Sequence, residues 1–234
     1  MCATCERRLR AWELRQRQSY WQPPLPLFPW GIYRHDLKRA IATLKYNGHP
    51  ELGTLLGEWL AMAWHTGQLG RGRSLQVVPI PLHRDKLKAR GFNQAEVIAA
   101  SFCRTLELPL IPNGLVRQCP TQSMFQLTVA QRQANLKQAF ALGQGLRQQR
   151  WVLLCDDIYT TGTTARAAAS TLAAAGYRVL GIVTVAIALP ETLAPLTHAQ
   201  THEHESFDPL HHGTVGIAGL PPQPALKPSG HQQQ

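Results

Sequence analysis

The chain has 234 residues, of which 44% are hydrophobic and 16% are charged, so a hydrophobic core is possible and disorder throughout is excluded. Lys and Arg number 24 against 14 Asp and Glu, a formal charge of +10. This excess makes phosphate esters, nucleic acids and acidic membrane surfaces the candidate partners, and charge alone does not choose among them.

The first 32 residues predict an irregular region. Two cysteines and an arginine-rich stretch precede the run Pro23–Pro29, which no helix can cross. We interpret residues 1–32 as the remnant of a Cys-rich N-terminal region followed by a Pro-rich linker.

Two amphipathic helices are predicted next. Apolar residues recur with helical spacing from Leu37 to Leu44, and Asn47-Gly48 provides a stop. The same spacing runs from Leu52 to Ala63. We expect these helices to form a small N-terminal hood beside the main domain.

A strand, a loop and a helix are predicted in the middle of the chain. Leu75–Leu82 is apolar and interrupted by prolines, as in a buried strand that ends there. Residues 84–90 predict a basic loop, and Asn93 predicts the start of a helix that continues to Leu106. The segment 109–149 has few apolar runs, which indicates a functional loop or a hairpin.

The most regular part is a strand, a helix and a strand. Trp151–Cys155 and Arg178–Leu189 are apolar, and Thr163–Ala175 between them is rich in alanine. Such a unit predicts parallel strands joined by a crossover helix. We therefore expect a doubly wound parallel α/β sheet over residues 33–189, and a weakly ordered tail over residues 190–234, where Pro, His and Gln accumulate.

The connection between this strand and this helix has the pattern of a phosphate site. Asp156 and Asp157 are followed by Thr160–Thr164, whose central residue is Gly162. Backbone N–H groups and hydroxyls at a helix start favour an anion, and carboxylates accept hydrogen bonds from hydroxyl groups. Together they indicate a sugar phosphate such as ribose 5-phosphate; an acidic turn with a simple helix cap is the alternative.

The same residues resemble the 5-phosphoribosyl-1-pyrophosphate (PRPP) motif of type I phosphoribosyltransferases. Further segments resemble the ComF family of competence-associated, phosphoribosyltransferase-like proteins. These segments are Leu44–Gly48, Val78–His83, Arg90–Gln94 and Arg132–Leu136 with Phe140. The resemblance covers about residues 30–189 and implies the fold of type I phosphoribosyltransferases.

The resemblance implies a role for each matching residue. Asp156 and Asp157 would hold the ribose and lie near Mg²⁺ through PRPP or water, and Arg84 would bind the pyrophosphate. Arg90 and Arg132 would act at the reacting centre, although Arg132 is equally compatible with merely fixing a hairpin. The implied 5-phosphate ligands are Thr160, Thr161, Gly162, Thr163 and Thr164.

Two function classes remain open. The first is a Mg²⁺-dependent phosphoribosyltransferase in which an unknown acceptor displaces pyrophosphate from PRPP. The second is a non-catalytic accessory protein of DNA uptake that binds PRPP, a nucleotide or single-stranded DNA, beside the competence helicase machinery. The basic residues 1–50, which carry +6, slightly favour the second class.

The cysteines favour reduced thiols over disulfides. Cys2 and Cys5 supply half of a tetrahedral zinc site, so Zn²⁺ binding by this chain is not expected. The ComF resemblance implies that such a region carries two cysteine pairs, and only one is present. Residues 1–8 lack the apolar core of a signal peptide, and Val179–Leu189 is too short to span a bilayer, so we expect a cytoplasmic protein without membrane insertion.

Overall fold

Parallel strands form the centre of the protein, for which we have a computed structural model that describes residues 2–118 and 139–190. Four of the described strands form a parallel sheet in the order β1-β6-β5-β2, and β3 and β4 form an antiparallel pair. The strands are β1 (Leu27–Ile32), β2 (Leu75–Pro79), β3 (Leu115–Arg117), β4 (Phe140–Leu142), β5 (Trp151–Tyr159) and β6 (Val179–Ile187).

Helices cover both faces of the sheet. They are α1 (Ala3–Arg10), α2 (His35–Tyr46), α3 (Pro50–Gly67), α4 (Arg84–Arg90), α5 (Gln94–Leu106) and α6 (Thr163–Ala174). Buried residues of α2, α3 and α5 pack on one face, while α6 and the β3–β4 pair pack on the other. The expected doubly wound α/β architecture is therefore confirmed, and the described residues belong to one compact unit.

The expectation of an irregular region over residues 1–32 is wrong. Residues 27–32 form the edge strand β1, which is buried at every position and pairs with β6 from Leu27↔Ile182 to Ile32↔Ile187. An edge strand tolerates Pro29 because one side of its backbone needs no sheet partner. The outer side of this edge is covered, since Leu14 N donates to Trp30 O at 2.9 Å.

Two further expectations need correction. Residues 84–90, expected as a basic loop, form α4, which begins after the N-cap His83. The strand expected to end at Cys155 continues to Tyr159, so both aspartates lie within β5. The segment 109–149 contains the expected hairpin as β3 and β4, while residues 119–138 lie outside the described part.

The region expected as a hood packs directly on the sheet. Trp59 of α3 stacks on Trp30 of β1 at 5.3 Å between ring centroids, and Trp64 meets Phe28 edge-on at 5.2 Å. Within the described ranges, no helix is both long and apolar enough to cross a membrane. The expected tail over residues 190–234 lies, apart from Pro190, outside those ranges.

Close packing of α3 on α5 predicts a large cost for a side chain at Gly57. A Cβ atom there would collide with the backbone carbonyl of Ile98 and lie 2.8 Å from Ser101 Cβ. We expect Gly57→Val to lower the free energy of unfolding by about 3 kcal/mol, the upper part of the range for overpacking. Urea denaturation measures this, and Met62→Val on the exposed side of the same helix is the control. Equal stability of both variants would contradict the packing.

Candidate functional site

Strand β5 carries the two aspartates to the carboxyl-terminal edge of the sheet. Asp156 pairs in register with Thr184 of β6, and the strand continues to Tyr159, which pairs with Ile187. In open α/β sheets, ligands bind outside this edge. The strand rather than a loop therefore fixes the backbone of both carboxylates.

Asp157 lies in a polar contact network that joins three helices to the sheet. Its side chain is buried, with the whole residue 4% exposed, and its Oδ2 forms an ion pair with Lys45 Nζ. This contact is an ion pair rather than a directed hydrogen bond, because Oδ2 accepts no hydrogen bond within the described residues. Gln94 Nε2 lies 3.5 Å from Oδ1 as a long hydrogen bond, and Gln94 Oε1 accepts from Arg90.

Arg90, which was expected at the reacting centre, donates to Gln94, and Gln94 in turn contacts Asp157. Its guanidinium also lies over the ring of Tyr46, 5.5 Å from the centroid. Arg84, expected at the pyrophosphate, is exposed in the first turn of α4, and in the described part no hydrogen bond or ion pair joins it to Asp157. Arg132 lies outside the described residues.

Lys86 lies near three other cations, one of which is Lys45, the ion-pair partner of Asp157. Burial first, and then the charges of Arg117, Arg90 and Lys45, lower the pKa of Lys86 below its usual value. Like charges disfavour one another's protonated form only when they are close. Lys45 and Arg117 were not singled out from the sequence; Lys45 lies within the motif Leu44–Gly48, which was the available signal.

The Thr160–Thr164 segment forms the start of α6. Gly162 is the N-cap in a left-handed conformation with φ of +72°, and no side chain caps this helix among the residues described. Thr161 Oγ1 and Thr163 Oγ1 are 2.9 Å apart. The N–H groups of the first turn thus lack a side-chain partner, which is the condition for binding an anion.

The surroundings of Asp156 favour its neutral form. Burial, followed by the charge of Asp157, raises the pKa of Asp156 well above its usual range, and Lys45 opposes this only weakly. The Oδ1 atom of Asp156 accepts a hydrogen bond from the backbone N of Asp157 at 2.8 Å. Asp156 is therefore held toward its neutral form, while Asp157 faces a cation.

This raised pKa predicts how stability depends on pH. The folded chain binds the Asp156 proton more tightly than the unfolded chain does. The stability that this proton contributes is therefore complete below about pH 4, the usual pKa of Asp, and is lost as pH rises toward the folded pKa. We expect Asp156→Asn to match the native chain near pH 4 and to become more stable than it at higher pH. Urea denaturation from pH 4 to 8 tests this; a difference independent of pH would contradict it.

Direct coordination of Mg²⁺ by Asp157 would compete with the present partners of its carboxylate. These partners are Lys45 and Gln94. Within residues 2–118 and 139–190, no three His, Cys, Asp or Glu side chains are grouped so that they could hold a metal ion. Cys2 and Cys5 lie together at the start of α1, with Cys5 N donating to Cys2 Sγ at 3.5 Å.

The N-terminal arginines are largely engaged within the protein. Each of three forms an ion pair with a carboxylate, and one of these three also lies over the ring of Trp59. The pairs are Arg8–Asp36, Arg10–Glu6 and Arg17–Glu13. The sequence expectation that this stretch favours single-stranded DNA therefore loses part of its basis.

Comparison of the whole chain with solved structures gives only distant likenesses. Adenine phosphoribosyltransferase from Leishmania donovani is 16% identical with a TM-score of 0.33, and covers 59% of this chain and 53% of its own. The protein TT1426 from Thermus thermophilus is 15% identical with the same TM-score, over 61% of this chain and 86% of its own. A TM-score this low does not support a fold assignment. The fold assignment of this chain rests on the strand order of its sheet and on its layers.

Sequence comparison finds several relatives of this chain. No family model matches. Competence protein F of Haemophilus influenzae is 34% identical over 90 residues, 38% of this chain and 39% of that protein. DNA utilization protein YhgH of Escherichia coli O157:H7 is 26% identical over 165 residues, 70% of this chain and 67% of that protein. Competence protein ComFC of Bacillus subtilis is 26% identical over 140 residues, 60% and 55% of the two chains. These relatives, together with the motifs that contain Lys45, Arg90 and Asp157, confirm the resemblance of this chain to the ComF family of competence-associated proteins.

Proposed function

We propose that this chain binds PRPP at the carboxyl-terminal edge of β5 and transfers its phosphoribosyl group to an acceptor. The observation that carries the proposal is the buried Asp157 carboxylate, which pairs with Lys45 beside three further cations, on the strand that leads to the uncapped start of α6. PRPP has hydroxyl donors between two anionic ends, a phosphate and a diphosphate. The proposed site offers complementary groups: the Asp157 carboxylate as the acceptor, the N–H groups at the start of α6 as one set of donors, and the cations as the other set.

Each group has a part in this binding mode. The Thr160–Thr164 loop holds the 5-phosphate through backbone N–H groups and hydroxyls. Asp157 accepts hydrogen bonds from the ribose hydroxyls, with Lys45 balancing its charge. The diphosphate is neutralised by the remaining cations, Lys86, Arg90 and Arg117, since charge-assisted hydrogen bonds to phosphate are strong.

The reaction is a displacement at C1 of the ribose. The bond between C1 and the pyrophosphate oxygen breaks, the acceptor's lone pair forms the new bond to C1, and the acceptor's proton leaves to solvent. Negative charge develops on the pyrophosphate as it departs, and fixed cations stabilise that charge. Arg90 is our candidate for this role, and the contacts of its guanidinium with Gln94 and with the ring of Tyr46 support it.

Magnesium belongs to this proposal as part of the ligand. Because Asp157 is already engaged by Lys45 and Gln94, we propose that Mg²⁺ would enter the site together with PRPP and would help to neutralise its diphosphate. A titration with Mg²⁺ alone should then produce no binding heat, while PRPP should bind more tightly with Mg²⁺ than without it.

Pyrophosphate release tests the enzymatic proposal. The protein is incubated with PRPP, Mg²⁺ and a panel of bases and amines, and released pyrophosphate is measured for the native chain and for Asp157→Asn. Release that depends on an acceptor and disappears in the variant is the expected result. PRPP binding without release for any acceptor would contradict transfer and leave a binding protein.

The second candidate is an accessory role in DNA uptake without turnover. It is favoured by the names of the relatives, which are called competence and DNA utilization proteins. A salt titration of single-strand affinity separates this candidate, because phosphate contacts make log affinity fall linearly with log salt. A flat slope would exclude DNA binding of this kind.

A further inference from the structure

A cationic cleft lies at the β1 end of the sheet, away from β2. It has a volume of about 870 Å³ and opens at the carboxyl ends of β1 and β6, where the chain leaves β6 through Ala188 and Leu189. The charged and aromatic lining residues are Arg8, Tyr33, Arg34, His35, Asp36, Lys38 and Arg39, and His35 stacks on Trp12. None of these residues takes part in the PRPP site proposed above.

The negative charge of Asp36, the single carboxylate among these lining residues, is balanced by two arginines. Arg39 first, and then Arg8, hold the pKa of Asp36 below its usual value, so it stays ionised. Arg8 donates to both oxygens of Asp36, at 2.9 and 3.2 Å. This tie fixes α1 to α2 and leaves the cleft with an excess of positive charge.

The other two cations of the cleft have no carboxylate partner in the described residues. Arg34 Nη2 donates to the carbonyl oxygen of Pro190 at 3.5 Å, and Lys38 Nζ lies 6.0 Å from the ring centroid of Tyr33. Neither forms an ion pair with a described residue. Two such cations beside the Arg8–Asp36–Arg39 cluster repel one another unless an anion joins them.

Size and lining limit what that anion is. The volume falls within the range of about 300–1,000 Å³ that holds small organic ligands, so inorganic phosphate alone would fill little of it. Arg and Lys pair strongly with phosphate oxygens, and the half-buried Tyr33 ring offers a stacking surface for an aromatic base. A phosphate joined to an aromatic ring system matches both features.

We propose that this cleft binds a 5′-mononucleotide, with its phosphate on Arg34 and Lys38 and its base against Tyr33. The site is separate from the PRPP site and does not depend on catalysis. Within the sheet, β6 lies between β1 and the aspartate-bearing β5, so both sites open at the same edge of one sheet.

Calorimetric titration of the full chain with adenosine 5′-monophosphate tests the proposal. The expected result is saturable binding of one nucleotide per chain, weakened at least roughly tenfold in Arg34→Gln/Lys38→Gln because two charge-assisted contacts are lost. The control Arg71→Gln/Arg73→Gln removes the same charge at the opposite edge of the sheet, before β2, and should leave binding unchanged. Tyr33→Leu should weaken binding of the nucleotide but not of inorganic phosphate.

Three outcomes would overturn the proposal. The first is no binding, or equal binding by the cleft variant and the native chain. The second is loss of nucleotide binding in Asp157→Asn with retention in the cleft variant, which would place the nucleotide in the PRPP site. The third is binding of a ten-residue oligothymidylate without binding of the mononucleotide, which would make the ligand a strand. Failure of PRPP to bind leaves all three readouts unaffected.

Discussion

Replacing Asp157 with asparagine is expected to weaken PRPP binding by roughly 100-fold or more. Asp157 is buried and is proposed to accept two hydrogen bonds from ribose hydroxyls, and hydrogen bonds to charged groups are worth about 1.5–3 kcal/mol each. The amide of asparagine keeps one acceptor and loses the charge. Isothermal titration with PRPP and Mg²⁺ measures the change.

The same substitution leaves Lys45 without its counter-charge, so stability has to be measured alongside binding. Removing one partner of a buried ion pair costs about 3–5 kcal/mol, and this pair is close to buried, with Lys45 and Asp157 side chains 18% and 6% exposed. The double variant Lys45→Met/Asp157→Asn removes both charges and should recover part of the stability without recovering PRPP binding. Glu58→Gln, which breaks the exposed pair with Arg104, is the matched control. Native PRPP affinity in a folded Asp157→Asn chain would contradict the proposed role.

Adding a methyl group at Gly162 is expected to weaken binding of the 5-phosphate. At Gly162 a Cβ atom would collide with the hydroxyl of Tyr159 and lie 2.7 Å from Arg166 Nη1, at a φ of +72°. We expect Gly162→Ala to weaken PRPP and ribose 5-phosphate binding at least roughly tenfold, because the methyl group would block close approach of the phosphate to the N–H groups at the start of α6.

Gly72 supplies a control for backbone strain. It has the same φ of +72°, but a Cβ atom there has no neighbour within 4 Å. Both Gly→Ala variants should lose about 1–2 kcal/mol of stability from the left-handed conformation, and only Gly162→Ala should lose binding. If the two variants bind PRPP equally well, the loop does not hold the phosphate.

Local pattern was sufficient for most of the sheet and its helices. The strand, helix and strand from Trp151 to Leu189 are confirmed as β5, α6 and β6, because each contains its own periodicity and stop signals. Strand β1 was missed because its evidence is not local. Pro29 argues against a strand, and the partner that stabilises it, β6, lies some 150 residues along the chain.

The site was predictable where residue type and position in the motif coincide. Asp157 and Gly162 were identified because carboxylates and glycine at a strand-to-helix connection have specific chemistry. Arg117 was not, since a lone cation at the end of a strand has no local pattern, and Lys45 was identified only as part of the motif Leu44–Gly48. Their place beside Lys86 depends on how α2, α4 and the β3–β4 pair pack together.

The basic excess of the chain also has a more specific meaning in the folded protein. Part of it is consumed by internal pairs such as Arg10–Glu6 and Arg17–Glu13. Among the described residues, further cations are grouped around Lys86 and around Lys38. The group around Lys38 lines a cleft with the volume of a small phosphorylated ligand.

Titration of the native chain with PRPP, ribose 5-phosphate and pyrophosphate, each with Mg²⁺, tests the central claim most directly. If the β5 edge holds ribose, 5-phosphate and diphosphate together, PRPP should bind at least roughly tenfold more tightly than either fragment, because one ligand makes the contacts of both. PRPP binding no tighter than pyrophosphate would show that the cations alone bind the ligand, and would contradict the assignment of a phosphoribosyl site.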